Sequence, residues 1–358
     1  MLEEATYVLD VLTRNGYQAY FVGGYVRDRV AGREVKDIDI ATSAKPEEVL
    51  RLFPRTVPTG MQHGTVTVVL RHHTFEVTTF RAESQYEKAR RPKEVQFIGD
   101  LLEDLKRRDF TMNAMAMDRD GRLIDPFGGQ RDLRDGVLRC VGDPADRFSE
   151  DALRMLRCIR FAAEYGLEID RRTWQALLER RDKLRLIAME RVRMEWEGMM
   201  AGRDPHRALR LLFESGLLGA LKTPTGLPCE RWTPADMPSS LARLGDIPAP
   251  ADRWALLMLA QGADGDLARR ALLKMTFSRA AALDIAAVVA CDARMRAALR
   301  GLADAVQAGG AASAAGSEAA AAKRELARLA KRAAVRHGVE IVRRWLMLAP
   351  LLPPLFPP

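Results

Sequence analysis

The segment Phe21–Ile40, with the sequence FVGGYVRDRVAGREVKDIDI, constrains the fold of this chain more than any other segment. It places a glycine pair, an arginine and two closely spaced aspartates in what we predict to be a strand–turn–helix–strand unit. Side chains alternate between the two faces of a strand, so Asp37 and Asp39 point to one side. Two carboxylates that converge repel each other. At an enzyme site this repulsion is usually offset by a bound hard divalent cation such as Mg²⁺.

The apolar run before Gly23 and Gly24 predicts a strand that ends in a turn. Glycine has no side chain, so the backbone amides of this turn can approach a phosphate group, and Arg27 follows one helical turn later. The segment therefore predicts a place where phosphate and metal meet. The alternative is a pair of solvated aspartates beside an ordinary glycine turn, and a motif as short as Asp-x-Asp does not exclude it.

Composition indicates a globular protein with a bias toward a polyanionic partner. The 358 residues suggest two to four compact units, and the net charge of +8 favours a partner such as nucleic acid. The four cysteines show no C-x-x-C pair, which argues against a disulfide framework and a zinc site. The first residues resemble an acidic amphipathic helix rather than a signal peptide, and no run is long enough for a membrane span. We therefore expect a cytoplasmic protein without a membrane partner.

The strand signals lie near the start of the chain, around residues 18–22, 36–41, 64–70 and 74–80. In the last of these, Phe75 and Val77 face the core and Glu76 lies on the other face. Glu76 is therefore available as a third carboxylate, although a solvated strand glutamate is the alternative. The polar segment Ala82–Val95 lacks a clean period and predicts a mobile loop.

Beyond the strands, charged residues recur in two places. The segment Arg107–Asp109 is either a solvated cluster or a nucleotide-recognition element, with arginine on phosphate and aspartate on a ribose hydroxyl. From Asp135 onward the sequence predicts helices only. We expect Ser149 to cap a helix that ends at Gly166. On this helix Asp151, Arg154, Arg157 and Arg160 form a polar stripe, which is also the pattern of an ordinary amphipathic surface helix.

The C-terminal part carries a low-complexity stretch and a basic helix. Gly309–Ala322 is rich in alanine and predicts a linker or a loosely formed helix. The helical segment from Lys323 to Met347 carries eight lysines and arginines against two glutamates. Such a stripe is either a solvated face or a track for an RNA backbone.

Four motifs in order carry a family resemblance over about residues 17–200. GGYVRD with DID, RRDFTMNA, EDALRMLR and ERVRME stand in the sequence in this order. Together they resemble the motifs of the class II tRNA nucleotidyltransferases, the bacterial CCA-adding enzymes of the DNA polymerase β-like superfamily. One such motif would be weak, but four in sequence make a chance match improbable.

The resemblance implies an α+β fold. An N-terminal nucleotidyltransferase head with a small mixed sheet and helices is followed by an all-helical neck, body and tail. We predict the head at residues 1–136, the neck with the nucleotide-selecting helix at 137–202, the body at 203–277 and a tRNA-binding tail at 278–358.

The resemblance also implies roles for site residues. Asp37 and Asp39 would hold Mg²⁺, with Glu76 as the third catalytic carboxylate. The remaining predicted residues would bind the nucleotide: Gly23, Gly24, Arg27, Arg108, Asp109, Glu150, Asp151, Arg154, Arg157 and Arg160. Cytosine and adenine both offer an amino donor beside a ring-nitrogen acceptor, which a carboxylate and a guanidinium can satisfy. Asp151 and Arg154 would in this way select CTP and ATP without a nucleic-acid template.

The implied activity is template-independent addition and repair of the 3′-terminal CCA of tRNA, with release of pyrophosphate. The partners would be the acceptor stem and 3′ end of tRNA, with CTP and ATP as substrates. A homodimer is left open. The alternatives are an enzyme that adds only the terminal A, a poly(A) polymerase and a catalytically inactive RNA-binding protein. The intact carboxylates and arginines argue against the last.

Overall fold

The computed structural model describes residues 1–83, 86–87, 91–92, 95–308, 324, 327–329, 331–336 and 338–352. The chain divides into two compact units, Met1–Ile187 and Ala188–Pro358. Gly309–Ala322, for which we predicted a linker or loose helix, lies outside the described residues. The predicted boundaries of head, neck, body and tail stay predictions.

The first unit is built on a seven-stranded mixed sheet. Its strands are β1 (Ala19–Val22), β2 (Asp39–Thr42), β3 (Thr56–Gly60), β4 (Thr65–Val69), β5 (Thr74–Thr79), β10 (Ala116–Met117) and β11 (Leu123–Ile124). They lie side by side in the order β11-β10-β1-β2-β5-β4-β3. The four strands predicted from the sequence are present within a few residues. The prediction missed β3, an edge strand whose exposed TVPTG sequence contains a proline and does not alternate.

The register of the central strands sets the position of the carboxylates. Strand β1 pairs antiparallel with β2, with Val22 opposite Asp39. Strand β2 pairs parallel with β5, with Asp39 beside Glu76. Asp39 is the first residue of β2, so Asp37 lies before the strand rather than within it as predicted. Asp37 and Asp39 are exposed while Ile38 between them is buried, so the two aspartates flank an apolar core residue.

Short strand pairs replace two of the expected irregular or helical regions. Within the segment predicted as a mobile loop, β6 (Arg81–Glu83) pairs with β9 (Val95–Phe97), and β7 (Tyr86–Glu87) pairs with β8 (Arg91–Pro92). The expectation that strands disappear after Asp135 is wrong, because β12 and β13 form a parallel two-residue pair. These strands are β12 (Val137–Leu138) and β13 (Glu168–Ile169).

Some helices of the first unit pack on the sheet, and others follow it later in the chain. They are α1 (Leu2–Arg14), α2 (Gly24–Val30), α3 (Pro46–Leu52), α4 (Leu101–Lys106), α5 (Gly129–Arg134), α6 (Pro144–Glu150), α7 (Leu153–Tyr165) and α8 (Arg171–Arg180), with short 3-10 turns at Met61–His63, Thr111–Asn113 and Arg181–Leu186. The predicted cap at Ser149 is wrong, since this residue lies inside α6. The chain breaks at Asp151 and Ala152 before α7 begins, and α7 ends at Gly166 as predicted.

One apolar core lies between the sheet and its first helices, and a second buried cluster contains Val22, Ala41 and Phe80. Val8, Leu9 and Leu12 of α1 are fully buried and pack in one cluster with Ile40 and Val77 of the central strands. Burial of a side chain of this size stabilises a fold by about 1.5–3 kcal/mol. This packing fixes the central strands, so the carboxylates on the opposite face of β2 and β5 stand on a rigid support.

The second unit is helical. Its elements are α9 (Met189–Ala201), α10 (Pro205–Ser215), α11 (Pro250–Ala260), α12 (Gly265–Lys274), α13 (Arg279–Ala308) and a final helix Val339–Leu348, with 3-10 turns at Leu217–Ala220, Pro228–Arg231, Pro234–Asp236, Ser239–Asp246 and Ala349–Leu351. Trp254 of α11 stands at the centre of its aromatic packing, with ring centroids 5.1 Å from Trp196 and 5.2 Å from Phe277.

The predicted α+β class is confirmed by this architecture, a mixed sheet at the start followed by helical elements. All four cysteines are buried free thiols. Across the residues with a described position, we find no helix long and apolar enough to span a bilayer.

Candidate active site

The carboxylates predicted from the DID motif lie at the end of the sheet where the central strand β2 begins, which we call the sheet edge. Asp39 begins β2 and its register partner on β5 is Glu76, while Asp37 precedes the strand by two residues. The pKa of Asp39 is raised, first because the surrounding protein excludes water from part of the carboxylate and second because Glu76 adds a like charge. Asp37 raises this pKa further, whereas the positive charges of Arg108 and Arg27 lower it. The two arginines therefore offset part of the negative charge of the three carboxylates.

These carboxylates offer the oxygen donors that a hard divalent cation prefers. The described residues contain no group of three His, Cys, Asp or Glu side chains that could hold a metal ion. Glu76 is thus a neighbour of Asp39 without completing a three-ligand cluster. Mg²⁺ is usually bound by one or two carboxylates together with substrate phosphates, so a pair such as Asp37 and Asp39 is sufficient as the protein's share. The donor set of carboxylate oxygens fits a divalent cation.

Gly23 brings the turn after β1 close to this edge. Its backbone has φ 64° and ψ −128°, a conformation that residues other than glycine rarely adopt. A Cβ atom at this position would lie 3.3 Å from Nη1 of Arg108 and 3.5 Å from Oδ2 of Asp39. The turn, the aspartate and the arginine therefore converge within a few ångströms. Gly24 follows as the first residue of α2.

Arg27 is held by two polar partners. Its Nε and Nη2 donate to Oδ1 and Oδ2 of Asp28 at 3.0 and 2.9 Å. Its Nη1 donates to Oδ1 of Asn113 at 2.9 Å. The guanidinium also lies over the rings of Phe161 and Tyr165, 5.4 and 4.7 Å from their centroids. Arg27 therefore joins α2 to α7, as well as facing the glycine turn.

Asp109 is a buried carboxylate at the centre of a hydrogen-bonded chain. Its Oδ1 accepts from the backbone N–H of Phe110 at 2.8 Å and from Nδ2 of Asn113 at 3.0 Å. Its Oδ2 accepts from Nε of Arg157 at 2.7 Å. Burial alone would raise the pKa of Asp109, but Arg157 and Asn113 outweigh it and lower the pKa to about 2. The prediction that Asp109 meets a ribose stays a prediction, and in the structure both oxygens already have partners.

Asn113 connects these two sets of contacts. It accepts from Arg27 through Oδ1 and donates to Asp109 through Nδ2. A continuous chain therefore runs from Arg27 through Asn113 and Asp109 to Arg157 on α7. It links three of the sequence motifs in space, since these residues belong to GGYVRD, RRDFTMNA and EDALRMLR.

Glu150 and Arg154 face each other across the break between α6 and α7. Nη1 of Arg154 donates to Oε2 of Glu150 at 2.7 Å, and Nη2 donates to the carbonyl oxygen of Arg107 at 2.9 Å. Arg154 is buried, so the interpretation of the stripe as a solvated surface is wrong for this residue. Asp151 is half-buried and its Oδ1 accepts from the backbone N–H of Leu153 at 3.0 Å, which caps the start of α7.

The other end of the stripe lies over an aromatic ring. Arg157 and Arg160 stand 5.1 and 4.4 Å from the ring centroid of Phe161, and both are half-buried. The two guanidinium groups are therefore not spread over a solvated face. Cation–π contacts of this kind contribute about 0.5–1 kcal/mol each at partly exposed sites.

The sequence reasoning missed several residues that position the predicted ones. Asn113 and Asp28 lay inside the quoted RRDFTMNA and GGYVRD motifs, so the signal was present, but the pattern did not show which partner each would contact. Tyr165 carried no signal, since an aromatic residue near a helix end predicts only packing. Its hydroxyl donates to Oδ1 of Asp28 at 2.5 Å.

Comparison with known proteins matches two family models. One, described as the poly A polymerase head domain, matches residues 19–139. The other, described as a probable RNA and SrmB-binding site of polymerase A, matches residues 166–224. Both lie within or next to the part of the chain that carries the four motifs.

Curated relatives include CCA-adding enzymes from Geobacillus sp., 54% identical over 215 residues, and from Bacillus subtilis, 50% identical over 210 residues. These matches cover 60% and 59% of this chain, and the chain spans about half the length of each relative, 53% in both cases. Among solved structures, the Bacillus stearothermophilus CCA-adding enzyme in complex with CTP is 36% identical. The comparison covers 98% of this chain and 80% of that one, with a TM-score of 0.75. The chain belongs to the family of class II CCA-adding enzymes.

Proposed function

We propose that this protein adds and repairs the 3′-terminal CCA of tRNA, using CTP and ATP and releasing pyrophosphate. The observation that carries the proposal is the hydrogen-bonded chain from Arg27 through Asn113 and Asp109 to Arg157. This chain connects α2, which follows the glycine turn beside the carboxylates, to α7. The residues proposed for nucleotidyl transfer and those proposed for base choice are therefore held in one hydrogen-bonded network. The similarity to a CCA-adding enzyme solved with CTP supports the same activity.

In this proposal Asp37 and Asp39 hold Mg²⁺, and Glu76 is the third carboxylate of the edge. The bound cation would lower the pKa of the 3′-hydroxyl of the tRNA and offset charge on the α-phosphate. Arg108 and Arg27 bind the triphosphate of the nucleotide, and the turn at Gly23 and Gly24 lets it approach. The protein's part in the reaction is therefore to position the groups and to balance their charge, without a covalent intermediate.

Base choice is assigned to the start of α7. Asp151 accepts from the amino group that cytosine and adenine share, and Arg154 donates to the neighbouring ring nitrogen. Uracil and guanine reverse this pattern, and each buried polar group left without a partner costs about 1–3 kcal/mol. Glu150 accepts a hydrogen bond from Arg154 and so fixes the orientation of its guanidinium. Arg157 and Arg160 complete the pocket.

The test supplies tRNAs that end before CCA, after C and after CC, with CTP or ATP given separately. CTP should extend the first two and ATP the third. If ATP extends only the tRNA ending in CC and CTP extends none, the protein adds A alone. Repeated addition of A to any RNA would identify a poly(A) polymerase.

Two variants test the metal assignment in the same assay. Asp37→Ala should abolish incorporation while tRNA binding stays near that of the parent. Glu34→Ala, an exposed carboxylate three residues earlier, should incorporate normally and serves as the matched control. Unchanged incorporation by Asp37→Ala would refute the assignment of the cation to this residue.

A further inference from the structure

Asp104 of α4 is a buried carboxylate that the proposed mechanism does not use. The residue is 1% exposed, and both of its oxygens accept hydrogen bonds. Oδ1 accepts from Nε and Nη2 of Arg107 at 3.1 and 2.8 Å and from the backbone N–H of Arg81 at 3.3 Å. Oδ2 accepts from Nη2 of Arg108 at 3.2 Å. A buried charge is retained in a fold only where it is paired, so Asp104 is committed to these arginines.

The far side of the Arg108 guanidinium faces the sheet edge. Nη1 donates to the carbonyl oxygen of Asn113 at 3.4 Å and lies 3.3 Å from the position of a Cβ on Gly23. A guanidinium is planar and rigid, so fixing one nitrogen sets the direction of the others. Asp104 holds Nη2, and Nη1 consequently points to the turn beside Asp39. The contact with Asp104 thus determines the orientation of the Arg108 guanidinium, and with it the position of its positive charge.

The electrostatics support the same role. Burial would raise the pKa of Asp104, but the charges of Arg108 and Arg107 outweigh burial and lower the pKa. The carboxylate is therefore ionised at neutral pH and can anchor a cation. The second anchored residue, Arg107, offers its carbonyl oxygen to Nη2 of Arg154 at 2.9 Å. Asp104 thus fixes the segment that touches both the sheet edge and α7.

We propose that Asp104 is a positioning residue that aims Arg108 at the phosphates of the incoming nucleotide. This inference rests on the proposed function, because it assigns Arg108 to the triphosphate. Asp104 itself touches neither nucleotide nor metal. Its effect passes through the guanidinium of Arg108.

The test compares Asp104→Asn with Glu103→Gln, a neighbouring half-buried carboxylate on the same helix that pairs only with Lys106 in the described contacts. Asp104→Asn should lower kcat/KM for CTP and ATP by about 10-fold to 100-fold, since small misplacement of a positioning group has effects of this size. Glu103→Gln should stay within about twofold of the parent.

The decisive measurement repeats Asp104→Asn in an Arg108→Ala background. If Asp104 acts through Arg108, the second substitution should change kcat/KM by less than about twofold, because residues that act as one unit are not additive. A full further loss in that background would show a merely structural role and overturn the proposal. So would normal kcat/KM for Asp104→Asn alone.

Arg108→Lys covers the case in which Asp104→Asn does not fold. Lysine keeps the charge but loses the planar fork that joins Asp104 to the glycine turn. It should lose nearly as much kcat/KM as Arg108→Ala, whereas activity within threefold of the parent would overturn the proposal.

Equilibrium dialysis with CTP separates this inference from the proposed function. If the parent binds CTP and extends no tRNA, the proposed function fails, and weaker CTP binding by Asp104→Asn still supports the positioning role. If the parent extends tRNA and Asp104→Asn binds CTP and extends tRNA equally well, only the inference fails.

Discussion

At the level of single residues, Asp109 shows how partners convert a buried carboxylate into a stabilising one. The pKa of Asp109 is lowered to about 2 in the folded protein, against 3.8 for an unperturbed aspartate. A lowered pKa contributes stability that is present above the unfolded value and is lost as pH falls toward the folded value. A difference of this size corresponds to roughly 2 kcal/mol at neutral pH.

Asp109→Asn should therefore unfold more easily than the parent at pH 7, and the difference should shrink as pH falls from 5 to 3. Urea unfolding followed by circular dichroism at several pH values measures it. Asp120→Asn, the same change at an exposed site, is the control and should track the parent throughout. A difference between Asp109→Asn and the parent that does not change with pH would contradict the assigned ion pair.

The sequence identified Asp109, Arg157 and Arg108 as candidate residues but could not assign their contacts. Asp109 was expected to meet a ribose, and the structure shows it bonded to Asn113 and Arg157. These partners lie 4 and 48 positions away along the chain. A local pattern reports residue type and spacing, whereas such contacts depend on how separate elements pack.

At the level of elements, periodicity located the helix of the EDALRMLR motif but not its beginning. We expected one helix from Ser149, and the structure has α6 and α7 with a break at Asp151. Asp143 and Pro144 are a strong start signal for α6, with both Ala145 and Asp146 donating to the Asp143 side chain. The break spans only two residues, so the apolar pattern of one helix runs almost unbroken into the next.

The C-terminal turn of α7 is fastened to the glycine-turn helix through Tyr165. Its hydroxyl donates to Asp28, and its ring lies 4.7 and 4.1 Å from the guanidinium carbons of Arg27 and Arg33. Burial and the bond to Asp28 raise the pKa of Tyr165 to about 12, so the hydroxyl remains a donor at neutral pH. The two contacts can be removed separately.

Tyr165→Phe should lower stability by about 1 kcal/mol, since it removes a hydrogen bond to a charged group at a partly exposed site. Tyr165→Leu should cost more, because each lost cation–π contact adds about 0.5–1 kcal/mol. Thermal unfolding of both variants, with Tyr7→Phe at an exposed position as control, measures the order. Equal losses for Phe and Leu would show that the ring adds nothing beyond its hydroxyl.

At the level of the whole molecule, the order of the strands could not be predicted from the sequence. The strands themselves were found, but β5 pairs with β2 in parallel across two intervening strands of the chain, β3 and β4. This non-local pairing is what brings Glu76 beside Asp39. Alternation showed that Glu76 faces away from the core, and only the register shows which residue it meets.

The basic stripe at the C-terminal end was also predicted only in part. We expected its arginines either on a solvated face or along RNA. In the structure Arg344 pairs instead with Asp252 of α11 at 2.5 Å and with Asp284 of α13 at 2.7 Å. Its neighbour Arg343 is exposed and stands 3.8 Å from Glu340. Adjacent residues of one stripe therefore have different roles, because the final helix packs one face against α11 and α13.

Arg344→Ala should destabilise the unit Ala188–Pro358 by about 3 kcal/mol, because removing one partner leaves the buried charge of Asp252 uncompensated. Arg343→Ala, which removes an exposed charge from the next position, should change stability by less than about 1 kcal/mol. Four of the five tryptophans, Trp196, Trp232, Trp254 and Trp345, lie in this unit, so intrinsic fluorescence during guanidinium unfolding reports on it. Equal midpoints for the two variants would show that the Arg344 network does not hold the final helix. A selective loss in Arg344→Ala would assign this arginine to the fold and show that its exposed neighbour Arg343 does not stabilise the unit.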